Sequence, residues 1–369
     1  MPVGLAISNA LYMGNLMKRR EFLRLAAAGS LLAAAPRTFA ASAQPEQGWR
    51  TFDLTYTVDL SAHNAAGRIW LPLPSNAGDY QRVISTHWQA GAAEAALYWD
   101  AVYQAPIFTA QSDGAGQSIT VTTQVATRDR SRAPASHALR DAGEAAFYLQ
   151  PTEHMPVDGV VAETSSKIVT GKSSPDAKAR AIYDWVVDNT FREPTTRGCG
   201  LGNISTMLET GNLGGKCADI NSLFVGLARA AGIPAREMYG VRVAESAQFQ
   251  CLGKAGDISR AQHCRAEYFS PRYGWVPVDP ADVRKAVLEA KLPLTDPKIA
   301  ELRERLFGFW EMNWVGFNNA RDFELSPAAS QPLPYLMYPY AEFGGERLDG
   351  RDPAEFKFKL SSVETGSKA

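Results

Sequence analysis

The sequence predicts an α+β protein: an N-terminal antiparallel β-sandwich, then a core in which a cysteine-bearing helix packs on an antiparallel sheet. Three observations predict it. Residues Thr51 to Val58 and Ser118 to Val125 alternate side chains at the period of a strand. Ile220, Leu223, Phe224, Leu227 and Ala231 form the i, i+3, i+4, i+7 stripe of a buried helix, which Gly232 stops and Pro234 keeps from resuming. Strand-like runs follow that helix, an order that favours α+β over a doubly wound sheet.

At 369 residues the chain exceeds one typical domain. It divides into a leader (1–43), a β-rich domain (44–150), a core (151–290) and a C-terminal extension (291–369) with a short helix, a short strand and a polar tail. Lys18-Arg19-Arg20-Glu21-Phe22-Leu23-Arg24 resembles a twin-arginine export motif. An Ala/Leu run from Leu25 to Ala35 and a small-residue site at Ala41-Ser42-Ala43 follow it, and Met17 is a candidate start. The run falls short of the ~20 residues that span a bilayer. Export to the bacterial periplasm is therefore expected, with no stable membrane span after cleavage. Lys+Arg total 38 against 39 Asp+Glu, and the leader holds +4, so the remainder is mildly acidic. That balance gives no electrostatic reason to expect nucleic acid as a partner. A peptide or protein substrate is the expected partner; the oligomeric state is left open.

Within the β-rich part, Arg68 to Pro74 reads as an edge strand closing into a proline turn, because proline cannot donate to a ladder. Residues 131–175 are irregular, punctuated by Pro134, Pro151, Pro156 and Pro175. Ser174-Pro175-Asp176 then opens a helix whose stripe includes Ile182, Trp185 and Val186, which makes Trp185 a core residue. Six glycines between Gly198 and Gly215 precede Cys217. They are not a phosphate cradle, since no Gly-Lys-Ser/Thr ending follows. Val241 to Val243, the segment around His263, and Trp275 to Asp279 read as strands, Pro297 to Phe309 as a helix and Glu355 to Leu360 as a strand. The tail from Ser361 is expected to be unstructured.

Cys217 falls in the first turn of the buried helix. A thiol is a nucleophile only as thiolate, and the positive end of a helix dipole lowers its pKa; the Cys217 amide can also donate to a developing oxyanion. An inert core cysteine is the competing reading. Ser270-Pro271-Arg272-Tyr273-Gly274 is a turn signal between two alternating runs, so a hairpin is expected. Folded symmetrically about Pro271, it would set His263 directly opposite Asp279, where the carboxylate would orient the ring and stabilise the imidazolium. A helix-start cysteine, a strand histidine and an aspartate is the order of papain-like thiol enzymes.

These residues carry a family resemblance. Gly214-Gly215-Lys216-Cys217-Ala218-Asp219, Leu223-Phe224-Val225, Leu227 to Arg236, His263 and Gly274-Trp275-Val276-Pro277-Val278-Asp279-Pro280 resemble the core of the bacterial transglutaminase-like superfamily, over about Ser174 to Arg284. Trp70-Leu71-Pro72-Leu73-Pro74 is more weakly similar to the domain that precedes such cores in exported members. The resemblance implies a papain-like fold with Cys217, His263 and Asp279 as catalytic triad. The chain departs from the family's frequent aromatic residue two positions after the histidine, having Arg265 there. Arg265 should share the face of His263 and is a candidate to bind a substrate carboxylate, against an internal salt bridge with Glu267 or Asp282. Trp275, expected opposite Glu267, is a candidate to shield the site. Cys264 should face the other way, with Cys199 or Cys251 as a disulfide partner. Asp219 is read as a structural first-turn acid, and His63, His87, His137 and His154 as surface or loop residues.

The expected chemistry is acyl transfer through a Cys217 thioester without cofactor or metal, hydrolytic by preference (peptidase or amidase). An amine acceptor would make it a transglutaminase, and loss of chemistry an inactive scaffold. A zinc site from the cysteines and His263 lacks the close Cys-x-x-Cys spacing of structural zinc.

Overall fold

The computed structural model describes residues 48–91, 94–114, 118–133, 142–352 and 354–366. The expected leader and His137 lie outside them. Six strands open the described chain: β1 (Arg50–Asp59), β2 (Gly67–Pro72), β3 (Gln81–Ala90), β4 (Glu94–Trp99), β5 (Pro106–Ser112) and β6 (Ser118–Thr127). Helices α1 (Gly159–Val169), α2 (Pro175–Asn189) and α3 (Cys217–Ala230) follow, then β7 (Ala235–Arg242), β8 (Gln262–Ser270), β9 (Gly274–Val278), α4 (Pro280–Glu289) and α5 (Pro297–Arg305). The last long elements are β10 (Trp314–Asn318), β11 (Tyr340–Phe343) and β12 (Lys357–Gly366).

The alternating segments form two sheets whose inward faces share one apolar core: Leu54, Tyr56 and Val121 of one meet Ile69, Leu71 and Phe108 of the other. One sheet runs β12-β1-β6-β3 with Gly256–Asp257 at its edge; the other runs β11-β2-β5-β4 with Glu346–Leu348 outermost. Each sheet is thus completed by the end of the chain. Ser361 pairs with Thr55 and Val363 with Asp53, so the tail expected to be unstructured is half of a strand. Its alternating Phe358, Leu360 and Ser362 match the pleat, and Leu360 is buried. The edge assignment of Arg68 to Pro74 is also corrected: β2 is central, paired on one side with β5 and on the other with β11. Proline is tolerated because Pro72 is the strand's last residue, leaving the ladder through Leu71 intact.

The antiparallel sheet of order β9-β8-β7-β10 carries α3 against one face. Every residue of α3 from Cys217 to Arg229 is buried, as its apolar stripe requires. Cys264, Ala266 and Tyr268 of β8 join Leu223, Phe224 and Leu227 of α3 in that core, while the alternate residues of β8 face away from it. Ser174 caps α2, its Oγ accepting from the Ala177 amide, with Pro175 in the first turn. Strand β10, in the stretch read as an extension, pairs with β7 and brings Trp314 behind the site.

Candidate active site

Asp219 fixes the start of α3. Its carboxylate accepts from the amides of Lys216 at 2.9 Å, Leu201 at 3.0 Å and Gly202 at 2.9 Å, which ties the glycine-rich loop to the helix's first turn. A Cβ at Gly200 would collide with that carboxylate, and the φ of 92° suits glycine alone. The Ala218 amide donates to the Cys199 carbonyl at 2.9 Å, drawing Cys199 over the helix start.

Cys217 is 2% exposed at that start, and His263, at 3%, lines the same cavity and is among the groups that lower the thiol's pKa. His263 Nε2 donates to Asp279 Oδ2 at 2.7 Å, which leaves Nδ1 for the thiol. Asp279 is fully buried and also N-caps α4, its Oδ1 accepting from the Asp282 amide at 3.1 Å. The carboxylate is locked by helix and ring together. The three residues expected as a triad are therefore brought together, although not by the expected register: Ala266 pairs with Val278 and Ser270 with Gly274, so the hairpin centres on Arg272 and Asp279 sits diagonally from His263.

Four neighbours were not legible in the motif. Asp282 lies 3.4 Å from His263 Nε2, and Arg242 grips it with two nitrogens at 2.5 and 3.1 Å. Asn221, one turn along α3 from Cys217, donates to the Cys264 carbonyl at 2.8 Å and reaches Asp279 Oδ1 at 3.5 Å, tethering helix to strand. Gln262, beside the histidine, is buried with both side-chain polar atoms unpartnered. Its only sequence signal was adjacency to His263. The ligand atoms of His263, Asp279 and Asp282 lie within 4.8 Å of one another, a spacing a metal could use. Both carboxylates are already held by imidazole and guanidinium groups, so the set is poorly suited to a cation.

Burial and Arg242 resist charging of His263, but Asp282 and Asp279 outweigh them and push its pKa up to about 9. Burial also opposes ionisation of Asp282, yet Arg242 and His263 hold it well below the carboxylate range. Asp279 is raised by burial and by Asp282. The neighbouring Cys199 and Cys264 thiols, with the nearby imidazolium, lower the Cys217 thiol well below its ordinary value against the cost of burial. All four cysteines are free. Cys264 faces α3 as expected, but it is directed at the Cys217 sulfur rather than bridged to Cys199 or Cys251.

Arg265 does share the face of His263, but is 3% exposed and points inward. It donates to the Glu311 carbonyl at 3.1 Å, stacks on Trp314 and approaches Asp279 Oδ2 to 3.7 Å. Buried behind the aspartate, it has no path to a substrate carboxylate. Trp275 stands opposite Phe269 rather than Glu267, packs on Arg236 at 4.0 Å, and lines a separate cavity with Arg130 and Glu267. His154, expected to be unpaired, binds Asp322 through Nδ1 at 2.5 Å, and His63 stacks on Phe343.

Cys217 and His263 open into a cleft of about 450 Å³ that Gln262, Arg192, Lys254 and Arg260 also line. Among the described residues no helix is long and apolar enough to cross a membrane.

Comparison with known proteins places this geometry in context. The family model of the transglutaminase-like superfamily matches residues 162–280, which hold Cys217, His263 and Asp279. An uncharacterized protein of Haemophilus influenzae is 38% identical over 336 residues, 84% of this chain and 90% of that one. The solved structure of a protein provisionally assigned as a cysteine protease, from Cytophaga hutchinsonii, superposes with a TM-score of 0.51 at 12% identity, covering 87% of this chain and 92% of that one. That likeness is one of fold.

Proposed function

The chain belongs to the transglutaminase-like superfamily, and on that premise we propose that it is a thiol-dependent acyl-transfer enzyme acting on peptide or amide substrates. The observation that carries the reading is His263, held by Asp279 through one nitrogen and sharing a cleft with Cys217, the residue at the start of the buried helix. In the proposed reaction the Cys217 thiolate attacks the amide carbonyl carbon. The Cys217 backbone amide and the Gln262 side chain donate to the resulting oxyanion. Collapse breaks the C–N bond as His263 passes its proton to the departing amine, leaving a thioester. Water, deprotonated by His263, then attacks the thioester carbonyl; the acid leaves and the thiol is restored.

Hydrolysis is favoured over amine transfer because the cleft walls include exposed loop residues, Lys254 and Arg260, so water has access to the acyl group. The leader read at residues 1–43 supports a peptidase or amidase working after export, in the periplasm.

Mass spectrometry after treatment with iodoacetamide, combined with turnover of a mixed pool of peptide amides, tests the reading. Rapid alkylation at Cys217 and turnover that both vanish in Cys217→Ala are expected. Incorporation of a labelled amine into a glutamine-bearing protein would reassign the acceptor, and a Cys217 inert to alkylation would overturn the enzyme reading.

A further inference from the structure

The walls of the cleft over Cys217 are strongly cationic in a chain that is nearly neutral overall. Five basic residues line it, Arg192, Arg242, Lys254, Arg260 and Lys285, against one acid, Asp257. Two of the five are occupied within the protein. Arg242 is clamped by Asp282, and the Lys285 ammonium binds the Cys251 carbonyl. Asp257 is turned into its own loop, its Oδ1 accepting from the amide and hydroxyl of Ser259. That leaves Arg192, Lys254 and Arg260, which make no ion pair among the described residues, although Lys254 feels the charge of Asp257.

These three come from separate parts of the chain. Arg192 lies in the two-residue strand Phe191–Arg192, paired in parallel with Gly214–Gly215 just before the Cys217 helix. Lys254 and Arg260 lie in the segment between β7 and β8, at the other wall. Bringing unneutralised cations from two distant segments to one concavity costs mutual repulsion, and a bound anion relieves it. Gln262 adds a buried, unpartnered amide at the same wall.

We infer that this cleft is a carboxylate subsite, and that the substrate is an acidic peptide whose anionic group is held by Arg192, Lys254 and Arg260 while its amide carbonyl meets Cys217. The inference rests on the thiol-enzyme reading above. Arg265, one candidate for recognising a carboxylate, is replaced in that role by cations that the motif does not contain.

The test compares three probes on the full chain, with adducts at Cys217 timed by mass spectrometry: neutral iodoacetamide, an anionic sulfonatoethyl methanethiosulfonate and a cationic trimethylammonioethyl methanethiosulfonate. Rates are normalised to those of 2-mercaptoethanol. The anionic-to-cationic ratio at Cys217 is expected to exceed the reference by about tenfold or more, and to fall as salt is added. In the triple variant Arg192→Gln, Lys254→Gln, Arg260→Gln that preference should shrink to within about threefold of the reference while the iodoacetamide rate holds, because these side chains have no hydrogen-bond or ion-pair partner to lose among the described residues. A wild-type ratio equal to the reference, or one unchanged in the triple variant, overturns the subsite and leaves the thiol reading standing. Failure of iodoacetamide to modify Cys217 overturns both.

Discussion

His263 and Asp279 are joined at 2.7 Å although they are not cross-strand partners; the residue that stands opposite Asp279 by extension of the hairpin register is Arg265. The diagonal works because Asp279 lies one residue past the end of β9, where the chain turns into α4 and swings the carboxylate towards the ring. The same carboxylate thus orients a base and caps a helix. Asp279→Asn keeps an oxygen for the cap but removes the charge that supports the imidazolium. Turnover is expected to fall roughly 10³- to 10⁴-fold, and stability to fall as well, because the buried Arg265 and His263 lose their counter-charge. Asp279→Ala should add a loss of about 1 kcal/mol from the uncapped helix, read by denaturant unfolding.

The pH dependence follows from two opposed shifts. Cys217 is depressed and His263 is raised to about 9, so thiolate and imidazolium coexist between those values. Alkylation by iodoacetamide should rise as pH climbs through the lowered Cys217 value and change again near the His263 value. Cys199→Ala removes the first of the neighbouring thiols and should move the lower limb to higher pH. For stability, the raised His263 pKa contributes fully below its ordinary 6.5, and that contribution is lost as pH rises through about 9. Urea unfolding of wild type and His263→Gln should therefore converge across that upper window. A gap that widens there would contradict the assignment.

Arg265 is expected to act on stability and turnover, not on substrate affinity. Burial lowers its pKa to about 10, and its guanidinium is sandwiched between Trp314 and the Asp279 carboxylate. Arg265→Met should destabilise the fold by about 3 kcal/mol, because Asp279 keeps its buried charge and loses a cation. In steady-state kinetics kcat should drop while KM holds; a raised KM alone would restore a substrate-contacting role.

Gln262→Ala should behave in the opposite way. Its amide has no partner among the described residues, so removing it orphans nothing there and unfolding should shift by less than about 1 kcal/mol. Loss of an oxyanion donor should lower kcat about 10²-fold. Unchanged kcat would remove Gln262 from the proposed mechanism.

Much of this was legible in the sequence because period decides face. The expected hairpin register was displaced by two residues, and two is a whole period of the pleat, so His263, Arg265 and Asp279 kept a common side. Cys217 was legible from the glycines before it and the stripe after it. Long-range partners left no local mark: Arg242 and Asp282 are 40 residues apart, and their pairing exists only once β7 and α4 meet. Of the two roles open to Arg265 the internal one holds, with Asp279 as its nearest carboxylate rather than Glu267 or Asp282; residue type and face are visible in sequence, whereas the Trp314 that covers it comes from a strand in the supposed extension. The same ignorance of the late strands placed β2 at an edge.

Strand β12 has a consequence for biosynthesis. It covers β1 from Asp59 back to Thr51, so β1 waits for a strand that begins 298 residues after Asp59 before its ladder can close. Closing so wide a loop is slow, and it exposes an incomplete ladder for the duration of translation. Deleting Lys357–Gly366 should therefore be felt at β1, as protease nicking of the newly bared strand, rather than at the thiol.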